Sequence, residues 1–260
     1  MFLKIRQIHQ ILLSILITFS CNSYKFKIHN SNNISIGNDL ELQGFSDLNI
    51  SDYRDTLENE NLNKIINYSE KFLDVGCPEG LLGNFICDLT LFSVKKEKKI
   101  LVKPDFCILN NGGFRSPINI GKVTLANIYE LMPFENNLVV IEIGPKKMDS
   151  LLSYIINKTT NNISRKSGVP VSGIRLRIGE DKKLKRCTIN TKLLDKKKYY
   201  KVLTTDYLAN GGDEMLFFKN CNRYETNLLL RDVIINYITE IGNKNININA
   251  EIDGRVTLDK

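Results

Sequence analysis

Histidine is scarce in this sequence, and its scarcity excludes several kinds of enzyme. The 260 residues include two histidines, His9 and His29, and both precede the region, from residue 52 onward, that we expect to fold. A Ser–His or Cys–His nucleophile pair requires an imidazole beside the nucleophile. A histidine-ligated catalytic metal has the same requirement. We therefore expect neither kind of site in a domain formed by residues 52–260.

Cysteine is too sparse and too irregularly spaced to form a disulfide framework or a zinc site. Six cysteines are present, and one of them, Cys21, belongs to the N-terminal region considered below. The other five are an odd number at wide spacings: Cys77, Cys87, Cys107, Cys187 and Cys221. Cys87 and Cys107 lie within apolar stretches, so we expect them to be buried as small hydrophobic residues.

Long apolar runs are also missing. The N-terminal apolar run covers residues 11–19, which is too short to span about 30 Å of hydrocarbon as a helix. Because Lys4 and Arg6 precede it, residues 1–20 are typical of a signal peptide, with an N-terminal core helix as the alternative. Cys21 stands where a lipoprotein signal places its acylated cysteine, so we favour lipidation over plain secretion.

The segment that follows is polar. Residues 21–51 are rich in Asn and Ser, and we interpret them as the lipid-anchor cysteine followed by a flexible tether. Together these features predict an exported protein of the cell envelope or periplasm that contacts the membrane through its lipid anchor only. The composition, 42% hydrophobic and 25% charged, is that of a globular chain and excludes a polytopic membrane protein.

Positive charge is in modest excess and is concentrated in short runs. Lysine and arginine total 36 against 29 acidic residues, which gives a net charge of +7. The runs are residues 95–99, 182–186 and 196–198. They could form a nucleic-acid-binding surface, but aromatic residues are not regularly interleaved with the first two, as stacking on bases requires. We favour solvated turns between strands and expect no nucleic-acid partner.

Hydrophobic periodicity predicts a single mixed α+β domain. Apolar residues at helical spacing, with glycine, proline or capping signals, predict helices at residues 57–73, 81–94, 124–131, 147–157 and 228–241. The segment 81–94 is so apolar that a strand is the alternative. Short β-rich or alternating segments predict strands at residues 106–109, 138–143, 174–178 and 200–204. The elements lack a regular β-α-β rhythm, which favours the α+β class.

Two loops rich in Asn and Gly follow predicted strands, and the chemistry of a site would lie there. The pairs Gly112–Gly113 and Gly211–Gly212 would let backbone N–H groups converge on an anion or let a ligand approach closely. Beside the first pair, Arg115 has a planar fork suited to phosphate or carboxylate. Asp213 closes the second loop and would suit vicinal hydroxyls, as on a ribose.

Two aromatic residues near these loops, Phe134 and Tyr207, offer flat faces on which a nucleobase could stack. Each feature also has an ordinary explanation. A Gly-Gly pair is usually a turn, an aromatic residue beside a loop usually belongs to the core, and Arg115 could form a surface ion pair. Considered one at a time, these residues leave the function open.

Longer strings of residues change this assessment. The segment Ile108–Ile118 resembles the NGGGxRxxI loop of the 5′-nucleotidase C-terminal domain family, and Glu130–Phe134 resembles that family's LPF segment. Tyr200–Asp213 resembles its Y(K/R)V…(D/N)(Y/F)LANGGDG signature. Glu79–Asp88 and Asp253–Val256 resemble its ESxLGNLxxD opening and its terminal GRI. The strings keep the family's order over nearly all of the predicted domain, and the resemblance implies the family's mixed α/β fold.

The resemblance also implies that the domain binds the nucleoside part of a nucleotide. By that likeness Phe134 and Tyr207 would sandwich the base, and Asp213 would hold the ribose hydroxyls. Asn110 and Arg115 would contact the sugar and phosphate side. The full set of implied substrate-binding residues is Asn110, Gly112, Gly113, Arg115, Phe134, Tyr207, Gly211, Gly212 and Asp213.

The sequence departs from the family pattern in places. Asn111 replaces the first glycine of the NGGG loop, which would narrow the approach to the backbone if that position needs a positive φ. Glu214 replaces the glycine after GGD and adds negative charge near an anionic ligand. For the family's further phosphate-binding arginine the nearby candidates are Lys95 and Lys96, but a lysine offers a point charge and no fork. We assign neither.

Enzymes of this family carry a metallophosphatase domain with a two-metal centre and a catalytic His/Asp pair, which nothing in residues 1–260 resembles. The resemblance therefore implies no catalytic residue and no metal ligand in this chain. We expect the nucleoside-binding half of a split 5′-nucleotidase, inactive alone, whose separately encoded metallophosphatase subunit holds two divalent metals. The alternatives are a stand-alone exported nucleotide- or nucleoside-binding protein and a remnant whose pocket Asn111 and Glu214 have closed.

Overall fold

The apolar segments form five helices and eleven strands over the residues that the computed structural model describes, 62–161, 164 and 166–259. The helices are α1 (Leu81–Lys96), α2 (Leu125–Leu131), α3 (Pro145–Thr160), α4 (Asp206–Ala209) and α5 (Leu230–Gly242). The strands are β1 (Ile65–Ser69), β2 (Phe106–Ile108), β3 (Gly121–Thr124), β4 (Asn137–Ile143), β5 (Val171–Ser172), β6 (Ile174–Ile178), β7 (Leu184–Ile189), β8 (Lys192–Leu193), β9 (Tyr200–Thr205), β10 (Asn222–Leu229) and β11 (Val256–Leu258). The predicted signal peptide, Cys21 and the tether lie outside the described residues.

The central sheet has five strands in the order β10-β4-β9-β2-β5. Both of its faces are covered, and β4 shows the two-residue alternation that a strand between two cores requires. Leu138 and Val140 of β4 belong to one hydrophobic core. Val139 and Ile141 belong to the other. The sheet therefore separates two cores, and its strands contribute side chains to both.

Each core is completed by different elements. The first includes residues of α1, α2 and α5, among them Ile86, Ile128 and Ile234. The second includes Leu151 of α3 and Leu176 of β6. Strand β6 belongs to a four-stranded sheet in the order β11-β6-β7-β8, and a two-stranded sheet pairs β1 with β3. None of the helices in the described part of the chain is long and apolar enough to cross a membrane.

Most of the predicted elements and the mixed α/β fold are confirmed. The apolar segment 81–94 forms helix α1 and not the alternative strand. Helix α2 begins after Thr124, whose hydroxyl accepts a hydrogen bond from the Asn127 amide at 3.4 Å. Helix α3 has Pro145 in its first turn. An N–H at this position has no partner within the helix, so proline, which lacks one, costs no hydrogen bond there. The predicted burial of Cys87 and Cys107 is also confirmed.

The prediction of a helix over residues 57–73 is wrong for the described residues. Ile65–Ser69 forms β1, which pairs antiparallel with β3. The side chain of Asn67 fixes this strand by donating to the carbonyls of Ile238 at 3.0 Å and Ile246 at 3.2 Å. These partners are more than 170 residues away in the chain. The local spacing of apolar residues, which predicted a helix, therefore could not indicate them.

Other boundaries also differ from the prediction. The lysine runs are not all turns between strands, because Lys95 and Lys96 lie in the last turn of α1 and residues 184–186 belong to β7. Besides β1, the strands that were not predicted are β3, β5, β7, β8, β10 and β11. The helix predicted over residues 228–241 begins at Leu230 in the structure. It starts two residues later than predicted because Leu228 and Leu229 are still part of β10 and pair with β4. For β10 the strand partner, β4, is distant in sequence, whereas β7 pairs with its sequence neighbours β6 and β8.

The last strand is held to the domain by Arg255, which is buried. Its guanidinium donates to both carboxylate oxygens of Asp88 on α1, at 2.8 and 2.9 Å. It also donates to the Val171 carbonyl at 2.9 Å and, from Nε, to Asp253 at 2.9 Å. Burial acts to raise the pKa of Asp253, but hydrogen bonds from Arg255 and the charges of Arg255 and Arg175 together lower it.

Candidate functional site

Three segments that carry the sequence motifs lie at the same end of the central sheet, next to the ends of strands β4, β9 and β2. Strands β2 and β9 are parallel neighbours, with Phe106 opposite Val202. Strand β4 runs antiparallel to β9, with Leu138 opposite Thr205. The carboxyl ends of β2 and β9 and the amino end of β4 therefore lie side by side. They bring together the loop 109–115, the loop 206–214 and the segment 133–136.

In the first loop, the glycine pair makes room for the side chain of Asn110. A Cβ on Gly113 would lie 3.1 Å from Asn110 Oδ1, and one on Gly112 would lie 3.3 Å from its Nδ2. The amides of Gly113 and Phe114 donate to carbonyls within the loop, at 3.1 and 3.2 Å. The pair therefore serves here to pack the Asn110 amide against the backbone.

The substitution of Asn111 for a loop glycine is accommodated without a left-handed backbone. Asn111 begins a short 3₁₀ turn and is 3% exposed. Its amide donates to the carbonyls of Ser167 at 2.7 Å and Gly76 at 3.2 Å. The side chain thus points into the protein and ties the loop to two other segments. It does not narrow the approach to the backbone in the way that a positive φ would have implied.

Arg115 and Phe134 are brought into contact. The guanidinium carbon lies 5.8 Å from the centroid of the Phe134 ring, within the range of a cation–π contact. The Arg115 amide donates to the Leu131 carbonyl at 2.9 Å, which joins the first loop to the end of α2. The Phe134 side chain is 42% exposed. A cation and an open aromatic face therefore stand together at this end of the sheet.

Arg231 of α5 supports the segment that presents Phe134. Its guanidinium donates to the Pro133 carbonyl at 3.3 Å and lies 4.5 Å from the centroid of the Tyr129 ring. Its charge also lies 3.9 Å from Glu135. The sequence motifs did not indicate this arginine, because it lies almost 100 residues beyond the segment it supports.

In the second loop, Tyr207 lies against the backbone of Gly212. A Cβ on Gly212 would lie only 2.5 Å from Cε1 and Cζ of the tyrosine ring, so glycine is required there by close packing. The Asp213 amide donates to the Tyr207 hydroxyl oxygen at 3.2 Å. Gly211 has a φ of 92°, which glycine adopts without strain. One face of Tyr207 is thus covered, while the residue is 51% exposed overall.

Helix α3 contacts the end of this loop through Tyr154 and Lys158. The Tyr154 hydroxyl donates to the Asp213 carbonyl at 2.9 Å. The Lys158 ammonium lies 3.1 Å from a carboxylate oxygen of Glu214 and 3.8 Å from one of Asp213. Burial, together with the negative charge of Asp213, raises the pKa of Tyr154, so its phenol remains a donor at neutral pH. These two residues were not indicated by any motif.

The predicted site residues thus fall into two contact groups at one end of the central sheet. One group contains Asn110, Gly112, Gly113, Arg115 and Phe134; the other contains Tyr207, Gly211, Gly212 and Asp213. The two lysines considered for an additional phosphate contact lie elsewhere. The Lys95 ammonium is directed at the Asp105 carbonyl, which precedes β2 and so lies at the opposite end of that strand. Lys96 pairs with Glu240 at 3.0 Å.

The acidic and sulfur-containing side chains do not converge on a metal site within residues 62–161, 164 and 166–259. No group of three or more His, Cys, Asp or Glu residues in these ranges has the proximity to hold a metal ion. The chemistry that this end of the sheet supports is recognition: aromatic faces for a flat ring, a carboxylate for hydroxyls and a guanidinium for an anion.

A model of the 5′-nucleotidase, C-terminal domain family matches residues 62–220. The chain is 28% identical over 205 residues to a snake venom 5′-nucleotidase of Gloydius brevicauda. The aligned region covers 67% of this chain and 32% of that protein. It is 24% identical over 215 residues to a trifunctional nucleotide phosphoesterase of Bacillus subtilis (strain 168), which covers 75% of this chain and 14% of that protein. The chain therefore spans a third or less of the length of these relatives.

Solved structures share the fold. The crystal structure of a 5′-nucleotidase precursor from Thermus thermophilus matches with a TM-score of 0.67 at 24% identity, covering 79% of this chain and 42% of that one. The structure of an NAD nucleotidase from Haemophilus influenzae matches with a TM-score of 0.63 at 18% identity, covering 81% and 40%. At these identities the likeness concerns the arrangement of strands and helices.

Proposed function

We propose, from the premise that this chain belongs to the 5′-nucleotidase C-terminal domain family, that it binds the nucleoside part of a nucleotide and orients it for hydrolysis by a separate metallophosphatase subunit. The observation that carries the proposal is the placement of the two contact groups at the same end of the central sheet, where the carboxyl ends of β2 and β9 lie beside the amino end of β4. The residue types at that end match the three parts of a nucleotide: base, ribose and phosphate.

Each part has a named partner in the proposal. The base stacks on the exposed rings of Phe134 and Tyr207, and such stacking is worth about 1–3 kcal/mol per base. Asp213 accepts hydrogen bonds from the ribose hydroxyls, and bonds to a charged acceptor are among the stronger ones. Asn110 and Arg115 contact the sugar and phosphate side. The glycines of both loops allow these side chains to pack as they do.

The hydrolytic step is assigned to a partner because it requires a metal-activated water, and residues 52–260 contain no histidine. In this arrangement two divalent metals belong to the partner subunit, and this chain contributes orientation, which can lower a barrier by several kcal/mol. The names of the relatives, a venom 5′-nucleotidase and a nucleotide phosphoesterase, support a nucleotide substrate. The venom origin of the first relative also supports export of this chain. The proposal includes a lipid anchor at Cys21 that holds the chain in the cell envelope or periplasm.

Calorimetric titration of the full chain with adenosine and with AMP tests the binding step. Phe134→Ala should weaken binding by about tenfold, the lower part of the range for a lost stacking contact. Phe92→Ala is the matched control, because Phe92 is similarly exposed, at 53%, but lies on α1 against Tyr237. Equal affinities for wild type and Phe134→Ala would contradict the assigned stacking role.

Phosphate release tests the division of labour. The full chain alone should release no phosphate from AMP, and mixing it with the isolated metallophosphatase domain of a 5′-nucleotidase relative should raise that domain's turnover. The increase should be lost with Phe134→Ala. Nucleoside binding without any effect on the added domain would instead support a stand-alone binding protein. Phosphate release by the chain alone would contradict the assignment of catalysis to a partner.

A further inference from the structure

The carboxylate that the proposed function assigns to ribose stands on an unfavourable backbone. Asp213 has φ 49° and ψ 39°, and Glu214 has φ 65°. Both lie in the left-handed region, which costs most L-residues roughly 1–2 kcal/mol. Aspartate tolerates this region better than most, so the cost falls mainly on Glu214. Two such residues in succession persist when surrounding contacts hold them. The direction in which the Asp213 carboxylate points is therefore set by whatever holds residues 213 and 214.

The contacts that hold this backbone come from Tyr207, whose hydroxyl oxygen accepts from the Asp213 amide at 3.2 Å, and from two residues of α3. Lys158 pairs with the Glu214 carboxylate at 3.1 Å and lies 3.8 Å from that of Asp213. Tyr154, one turn earlier, donates to the Asp213 carbonyl at 2.9 Å. The Lys158 ammonium is also 5.4 Å from the centroid of the Tyr154 ring. The Lys158 side chain is 32% exposed and that of Glu214 is 79% exposed, so the lysine end of the ion pair is partly shielded and the glutamate end faces solvent.

We infer that Lys158 is a positioning residue: its ion pair with Glu214 holds the left-handed turn and so sets the preference of the site for ribose over deoxyribose. This rests on the proposed function, since it requires Asp213 to bind the ribose hydroxyls. Without the ammonium, the carboxylates of Asp213 and Glu214 repel each other and the turn relaxes to an ordinary backbone. Asp213 then no longer meets the hydroxyls, while the stacking surfaces of Phe134 and Tyr207 remain.

The role of the ion pair depends on the residue at position 214. Glycine adopts a positive φ at little cost, so a chain with glycine there needs no ion pair to keep the turn. Glu214 and Lys158 thus form a coupled pair in which the lysine compensates for the absence of glycine. Removing the lysine should disrupt recognition when Glu214 is present and should matter little when position 214 is glycine.

Calorimetric titration of the full chain with adenosine and 2′-deoxyadenosine tests this inference. Wild type should favour adenosine by roughly 10- to 150-fold, the usual worth of one hydrogen bond to a charged acceptor. Lys158→Met should reduce that preference towards one by weakening adenosine binding, with 2′-deoxyadenosine binding unchanged. Lys158→Arg should retain the preference. The double variant Lys158→Met/Glu214→Gly should recover it, which a loss of folding would not permit.

Asp213→Asn serves as the reference, since it removes the charged acceptor itself. If Asp213→Asn abolishes the preference and Lys158→Met does not, the inference is overturned while the proposed function stands. A double variant that still lacks the preference also overturns it, because the coupling to position 214 is then absent. If wild type binds neither nucleoside, the proposed function fails, and the inference fails with it.

Discussion

The packing of Tyr207 on Gly212 predicts that a single methyl group displaces the tyrosine ring. In Gly212→Ala the new Cβ would lie 2.5 Å from two carbons of the Tyr207 ring. Ordinary van der Waals contact begins near 3.4 Å, so the ring must retreat by about 1 Å. Overpacking in a closed core typically costs about 1–3 kcal/mol. Because Tyr207 is 51% exposed and its ring can move towards solvent, we expect a cost near or below the lower end of that range. The displacement also lengthens the 3.2 Å bond from the Asp213 amide to the Tyr207 hydroxyl.

Urea denaturation and calorimetric titration with adenosine would measure the two consequences of Gly212→Ala. We expect a lower free energy of unfolding and a lower affinity, since the ring and Asp213 move together. The same substitution in a Tyr207→Ala background should cost much less stability, because the clashing ring is gone. Equal costs in the two backgrounds would show that the ring does not press on Gly212, and the description of this loop would then be wrong.

Three further predictions concern other parts of the domain. Arg231→Leu should weaken adenosine binding several-fold in a calorimetric titration, because the carbonyl support of the Phe134 segment is lost; unchanged affinity would contradict this. In native protein a thiol reagent should modify Cys77 and Cys221 first and the buried cysteines slowly, since burial raises the pKa of Cys187 to about 12; rapid modification of all five would contradict it. Asp253 has a lowered pKa, so its stabilising effect is present above the ordinary aspartate pKa of about 3.9 and is lost as the pH falls through the lower folded value. Denaturation of wild type and Asp253→Asn should therefore show a stability difference at pH 6 that disappears in strong acid.

The sequence indicated which segments form the candidate site but not which side chains from other elements contact those segments. The motifs located Phe134, Tyr207 and Asp213 because each lies in a string with a fixed order of residues. They did not indicate Lys158 or Arg231, which reach the site from helices through side chains alone. The Lys158 position carries no local signal, since a lysine on an amphipathic helix is ordinarily a solvated residue.

The same limit explains the errors in secondary structure. Helix α1 and strand β4 were predicted well because their own apolar patterns decide their structure. Strand β1 has apolar residues at helical spacing, and its true conformation depends on pairing with β3 and on the bonds of Asn67 to distant carbonyls. Strand β7 contains charged residues that suggested a turn, yet Cys187 and Ile189 anchor it to the second core. The local pattern of apolar residues therefore predicts the wrong secondary structure where contacts with other elements determine the conformation.

The alternation of β4 has a consequence for how the domain loses its structure. Neighbouring residues of this strand, such as Leu138 and Val139, are fully buried on opposite sides. Detaching the helices on one face would expose the apolar side chains of that face to water while the other face is still packed. Because β4 contributes to both cores, it cannot separate from one core without also separating from the other. We therefore expect the two halves to melt as a single cooperative event, and the loops of the candidate site to be lost together with the whole domain.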